Sequence, residues 1–365
     1  MRRLLVIFCL VWLVLASLAV GVLAADWPFW QRAWHWHAAP SGYPDHMPGS
    51  WLGLGRGAGA ALPEAEPASP EGAALLQLAA KYPTQALLVT RGEVTLAQHY
   101  GVGVNADTLL QGRGLTELVL APLYGVARLS GRDLLDKPLA AVLPEWRGDM
   151  RGEITPRQLL LQLSGLQAPP FNPFNPFSDR ARLASGPNFE RAALGFTAAY
   201  PPGSHFEPSP ANAQILGLVL ARLQGARLVE QLDTQLWQPL GAGTAKVSLD
   251  RLGGDMAAHC CLAARARDWL RLARLLADDG RVNGRQLLPA GFVVQMSRAV
   301  PVHPGYGLGV AVQSALGGET LLWARSPGRV VLVVPDRRIA AVWFSGSALQ
   351  DAAESELLAA LGLGR

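Results

Sequence analysis

Acyl transfer through a serine needs a hydroxyl and a base held about one helical turn apart, so the lysines are the first residues to inspect. Three are present, Lys81, Lys137 and Lys246, and the residues three positions before them are Leu78, Leu134 and Gly243. No Ser-x-x-Lys pair therefore exists, and neither a Gly-x-Ser-x-Gly elbow nor a His-Glu-x-x-His pair is found. His259-Cys260-Cys261 groups metal-ligand types, but no second ligand pair stands at a suitable spacing, so no metal and no cofactor is expected. Adjacent cysteines bridge only through a tight ring, so Cys260 and Cys261 read as small buried side chains and not as a disulfide framework. His205 and His303 fall in loops, where titration in solvent is the simpler reading.

The elements around these residues have a clear order. EGAALLQLAAKY is a short helical pattern; ALLVTR, a Gly92-Glu93 turn and VTLAQH form a hairpin signal. Residues 113–300 are mostly helical with long loops. Within them Thr155 is an N-cap, Pro156 sits at the first helical position and Gln158 completes a capping box. ARARDWLRLARLLADDG gives a second clear helix, stopped by Gly280. Strand patterns return in YGLGVAVQ, ETLLWA, RVVLVVP and RIAAVWFSG, with Pro335-Asp336 turning the third into the fourth, and SALQDAAESELLAALG closes the chain as a helix. The fold class is α+β: an antiparallel sheet built from 76–112 and 301–365, flanked by terminal helices, with an all-α subdomain inserted at 113–300. A crevice between sheet and insertion is where a ligand would sit.

Length and composition narrow the classes further. The 365 residues are 50% hydrophobic and 16% charged, with a formal net charge of +4 and no basic run, which argues against a nucleic-acid partner. Arg2 and Arg3 precede an uncharged run from Leu4 to Ala25, long enough to span a bilayer and oriented to leave the rest of the chain outside the cytoplasm. The expectation is an inner-membrane anchor at 4–25 with a periplasmic body, or an exported chain if cleavage follows Ala24. Residues 26–75 are rich in Trp, Pro and Gly; Trp27, Trp30, Trp34 and Trp36 suit either a headgroup layer or packing on the domain, and 61–72 reads as linker.

Several stretches together resemble the serine β-lactamase and penicillin-binding-protein superfamily, and within it the class C-like branch of 6-aminohexanoate-oligomer hydrolases and esterases. They are GVARLSGRDLLDKPLAAVLPEW, ITPRQLLLQLSGL, YPPGSHFEPSPANAQILG, CCLAARARDWLRLARLLADDGRVNGRQLLP and PGRVVLVVPDRRIAAVW. The resemblance implies a β-lactamase/transpeptidase-like fold from about residue 84 onward, with three motifs around one crevice. Its Ser-x-x-Lys falls on Gly114 and Glu117, its Tyr-x-Asn on Pro208 and Pro210, and its Lys/His-x-Gly on Ser326-Pro327-Gly328. Glycine has no nucleophile, and proline offers neither a hydroxyl nor a backbone N–H.

A glutamate in the first helical turn also favours the macrodipole by roughly 0.3–1 kcal/mol, which the lysine it replaces would oppose. The expectation is a catalytically silent homologue acting as an envelope binding or scaffold domain. Its crevice, lined by Gly114, Glu117, Pro208, Ser326 and Gly328, would take a peptide-like or amide ligand, with Gly328 at a strand edge. The alternative is an amide or ester hydrolase with a rebuilt centre, for which Thr116 with Glu117 is the best rescue and Ser326 a weaker one. Ser164-Gly165 reads as a helix terminus and Arg267-Asp268-Trp269 as a packing segment.

Overall fold

The computed structural model describes residues 2–38, 51–55, 61–62, 69–349 and 351–364. Its helices are α1 (Arg2–Ala25), α2 (Trp27–Ala38), α3 (Pro70–Lys81), α4 (Leu120–Leu129), α5 (Pro156–Leu160), α6 (Asp179–Ser185), α7 (Phe189–Gly195), α8 (Pro210–Gln224), α9 (Leu228–Gln231), α10 (Ala266–Ala277), α11 (Phe292–Met296) and α12 (Asp351–Ala360). Strands are β1 (Trp51–Leu54), β2 (Thr84–Arg91), β3 (Val94–Tyr100), β4 (Leu109–Gln111), β5 (Ala245–Ser248), β6 (Ala263–Arg265), β7 (Arg281–Val282), β8 (Arg285–Gln286), β9 (Ala311–Ser314), β10 (Thr320–Ser326), β11 (Arg329–Val334) and β12 (Ile339–Ser345).

Six strands form an antiparallel sheet in the order β3-β2-β12-β11-β10-β9, so the two ends of the domain meet where β2 pairs with β12. Both faces of that sheet are covered, which explains the near-continuous apolar runs of β11 and β12. Along β12, Ile339, Ala341 and Trp343 pack with Leu75 of α3 and Leu357 of α12. The alternate residues Ala340, Val342 and Phe344 pack toward Trp269 of α10 and the helical region. The predicted hairpin is present, with Gly92 at φ +55. The predicted YGLGVAVQ strand shortens to Ala311–Ser314, because Gly309 at φ +73 turns the chain before it can pair.

The inserted region carries the expected helices. Thr155 and Gln158 close a capping box at α5, and α10 ends before Gly280 at φ +78. α5 is short, because Gln162 takes φ +58 and turns the chain toward the crevice. A second sheet, β1-β5-β6-β4, lies beside these helices and was not separated out from the sequence; β1 enters it from the N-terminal extension by pairing with β5.

α2 docks on α6 through a small cluster of Phe29, Ala33 and Ala181. Arg32, 8% exposed, donates to the carbonyls of Gly186 (2.8 Å) and Asp250 (2.6 Å). Trp30 and Trp36 pack against the domain, whereas Trp27 and Trp34 are exposed. Among the described residues no helix is long and apolar enough to cross a membrane. The side chains of 2–6, 19, 22, 23 and 25 in α1 lie outside the described set, as do residues 63–68 of the 61–72 linker, so the expectations placed there fall partly outside it too.

Candidate functional site

The chain enters the crevice at the end of β4. Gly112 donates its N–H to the Leu262 carbonyl at 2.8 Å, and a Cβ there would lie 2.2 Å from Cζ2 of buried Trp269. Only glycine permits that approach. A 3₁₀ turn, Arg113–Val119, follows and runs into α4. Gly114 sits at its start, with its N–H donated to the Ser326 hydroxyl at 3.3 Å. A Cβ on Gly114 would meet Ser326 Oγ at 3.5 Å and Cβ at 3.7 Å, which is ordinary contact. The start of this turn and the end of β10 therefore stand against each other.

Thr116 is wholly buried. Its hydroxyl donates to the Arg113 carbonyl at 2.7 Å and accepts the Leu262 N–H at 3.0 Å. Both capacities are spent on backbone, so Thr116 braces the turn and is unavailable as a nucleophile. Ser326 accepts from Gly114, and no histidine, lysine or carboxylate bonds its hydroxyl among the described residues.

Glu117 keeps a little surface exposure, yet its carboxyl stands deep enough that loss of water raises its pKa to about 8. This corrects the macrodipole expectation. A helix N-terminus favours an anion only where the anion exists, and desolvation outweighs the dipole here, leaving the group protonated at neutral pH. Its neighbour is Tyr306, whose phenol is held well above the ordinary value, first by burial and then by the Glu117 charge. Neither group reads as a ready base.

The Tyr306 hydroxyl also meets the Gln162 side chain. Gln162 Oε1 in turn accepts from Asn212 Nδ2 at 2.6 Å and from the Ser209 N–H at 3.2 Å, and Ser164 Oγ donates to Asn212 Oδ1 at 2.7 Å. Gly165, at φ +76, completes that turn. This network joins Tyr306, on which Glu117 acts through its charge, to the segment bearing Pro208 and Pro210. Pro208 is exposed and Pro210 opens α8, while the Ser209 hydroxyl between them caps that helix by accepting from Ala211 N–H at 3.3 Å.

Sequence reasoning missed Gln162, Asn212 and Tyr306. The available signals were the polar residue in LQLSG and the glycine-flanked tyrosine of PGYGLG. Phe206 extends the wall, stacked on His303 at 3.7 Å and tilted against Tyr306 at 5.4 Å. His205 stacks on Tyr200 at 4.1 Å.

Gly328 lies in the β10–β11 turn at φ +73. A Cβ there would fall 2.6 Å from the Ser347 carbonyl, and its own carbonyl accepts the Ser345 N–H at 2.8 Å. Its backbone thus serves β12. β10 pairs with β11 along its length to Ser326, but on its other edge β9 pairs only with Thr320–Trp323, so Ala324–Ser326 has no strand partner on that side.

One expectation is overturned outright. Cys260 and Cys261, both 4% exposed, are joined by a disulfide with Cα atoms 3.7 Å apart. Burial was read correctly, but the tight ring does form, in a turn where Cys261 takes φ +75. Leu262, which bonds both Gly112 and Thr116, follows directly. His259 beside it is buried, contacts Gln214 at 3.3 Å, and is lowered by burial to about 4, so it stays neutral. Among the described residues no group of three or more His, Cys, Asp or Glu side chains is placed to hold a metal ion.

The sequence profile of the beta-lactamase family matches residues 73–363. A 6-aminohexanoate-dimer hydrolase of Paenarthrobacter ureafaciens is 26% identical over 222 residues, covering 58% of this chain and 56% of that protein. The match thus spans little more than half of the curated relative. Among solved structures, a protein of Bacillus anthracis assigned as a 6-aminohexanoate-dimer hydrolase superposes with a TM-score of 0.70 at 18% identity, covering 85% of this chain and 88% of that one. A penicillin-binding-protein homologue of Caulobacter crescentus gives 0.64 at 16% identity, covering 83% and 98%. At these identities the structural likeness speaks for the fold.

Proposed function

The chain belongs to the beta-lactamase family, and we propose that it is a member that has given up acyl transfer and kept its crevice for binding. The observation that carries this reading is the Gly114–Ser326 contact. Where a nucleophile and its oxyanion-binding N–H are needed, this chain has a bare α-carbon whose N–H is already donated to a hydroxyl. Glu117, protonated at neutral pH, stands where a lysine would be needed. In this reading the body lies on the extracytoplasmic side, held by residues 4–25, and serves as an envelope binding or scaffold domain. Its ligand is a peptide-like or amide chain that adds along Ala324–Ser326 of β10, a mode in which backbone bonds supply affinity.

The test is covalent labelling of the purified chain with a fluorophosphonate and with a penicillin probe. No stoichiometric adduct is expected; one adduct mapped to a single crevice residue overturns the reading. A second reading has one observation in its favour, the protonated Glu117 beside Tyr306, which are groups able to hand on a proton. Turnover of nitrocefin or a p-nitrophenyl ester, abolished by Glu117→Gln, would establish that rebuilt hydrolase.

A further inference from the structure

Residues 171–177 read FNPFNPF, a tandem repeat that the crevice does not use. Each Asn makes a turn: Asn172 Oδ1 accepts the Phe174 N–H at 3.0 Å and Asn175 Oδ1 accepts the Phe177 N–H at 3.1 Å. The repeat presents a phenylalanine every third residue, and Phe177 is 92% exposed. α2 shows a matching asymmetry. Trp27, Gln31 and Trp34 fall on one helical stripe, all exposed, while Phe29, Arg32 and Ala33 face the domain.

One side chain ties the two features together. Arg182 Nε donates to the Pro176 carbonyl at 2.6 Å, its Nη1 pairs with Asp26, and its guanidinium stands 4.7 Å over the Phe29 ring. Phe177 and Trp27 are the chain neighbours of those two partners, so both are held about a single guanidinium. α1 ends one residue before Asp26. On the anchor reading, which takes the uncharged run 4–25 as the span, the 24 residues of α1 reach about 36 Å against a hydrocarbon thickness of about 30 Å and bring Trp27 to the headgroup level. Tryptophan and phenylalanine on a face beside an anchor suit that layer, where an apolar ring and a polar rim are both satisfied.

We propose that the Trp27/Trp34 face of α2 and the Phe174–Phe177 turn form one surface that docks on the phospholipid interface. Clamped by Arg182 at the end of α1, it lays the domain against the bilayer. This rests on the anchor reading above, and the experiment separates the two.

The full-length chain is placed in nanodiscs of phosphatidylcholine and phosphatidylglycerol carrying lipids brominated near the top of the acyl chains, and tryptophan quenching is measured. Three proteins are compared: the native chain, a Trp27→Phe/Trp34→Phe double variant, and Phe177→Trp. All changes are at exposed sites, and near-ultraviolet circular dichroism checks that each folds. The quenched intensity is expected to fall in the double variant and to rise in Phe177→Trp. In parallel, membranes carrying the native chain are washed with alkaline carbonate. A carbonate-resistant chain with equal quenched intensity in all three proteins overturns the docking surface alone. Release of the chain by carbonate overturns the anchor and, with it, this inference.

Discussion

Between pH 4.5 and about 8 the Glu117 carboxyl is ionised in an unfolded chain and protonated in the folded one. The folded state then binds more protons, so stability falls as pH rises through that window. His259 works in a different window: depressed to about 4, it lowers stability only as pH drops below 6.5. Glu117 therefore dominates this pair between pH 6.5 and 8, where it accounts for a loss of about 2 kcal/mol or less, given its residual exposure. Glu117→Gln is expected to flatten that slope in urea melts at pH 6.5 and 8; an unchanged slope would mean the carboxyl is hydrated. Gly114→Ser makes a complementary test. The added Cβ meets Ser326 at 3.5 Å and Gly114 has no positive φ, so the variant is expected to melt within a few degrees of the native chain. It should remain unlabelled by penicillin, because Glu117 cannot act as its base.

The turn that carries these residues depends on bonds that cross between elements. Thr116→Val keeps the shape but leaves the Leu262 N–H without its acceptor, a loss of about 1–3 kcal/mol read from the denaturation midpoint. Elements whose determinants are local were legible beforehand. The Thr155–Gln158 capping box, the Gly92 hairpin and the β11–β12 pair joined through Pro335-Asp336 follow from residues a few positions apart. Gln162, Tyr306 and Asn212 were not, since their role arises when a positive-φ turn and a distant loop bring α5, α8 and the chain before β9 together. Cys260 and Cys261 were misread for a related reason. Pairwise spacing says what a bridge costs in isolation, while the conformation of the surrounding turn decides whether it forms.

At the scale of the molecule, α2 is the least expected part. A segment whose tryptophans left packing and lipid contact open packs Trp30 and Trp36 on the domain and leaves Trp27 and Trp34 exposed. Arg32 holds it there from inside, and burial lowers its pKa from the ordinary arginine value. Arg32→Ala leaves the Gly186 and Asp250 carbonyls short of a donor, about 1–3 kcal/mol, and hydrogen exchange across 27–38 is expected to quicken while β11 and β12 stay protected. The same stitching bears on maturation. On the anchor reading, a peptidase cutting after Ala24 would remove the tether proposed at 4–25 but none of the Arg32 or Arg182 bonds. The cut product would keep its aromatic collar fastened, a body differing from the tethered one in address and not in architecture.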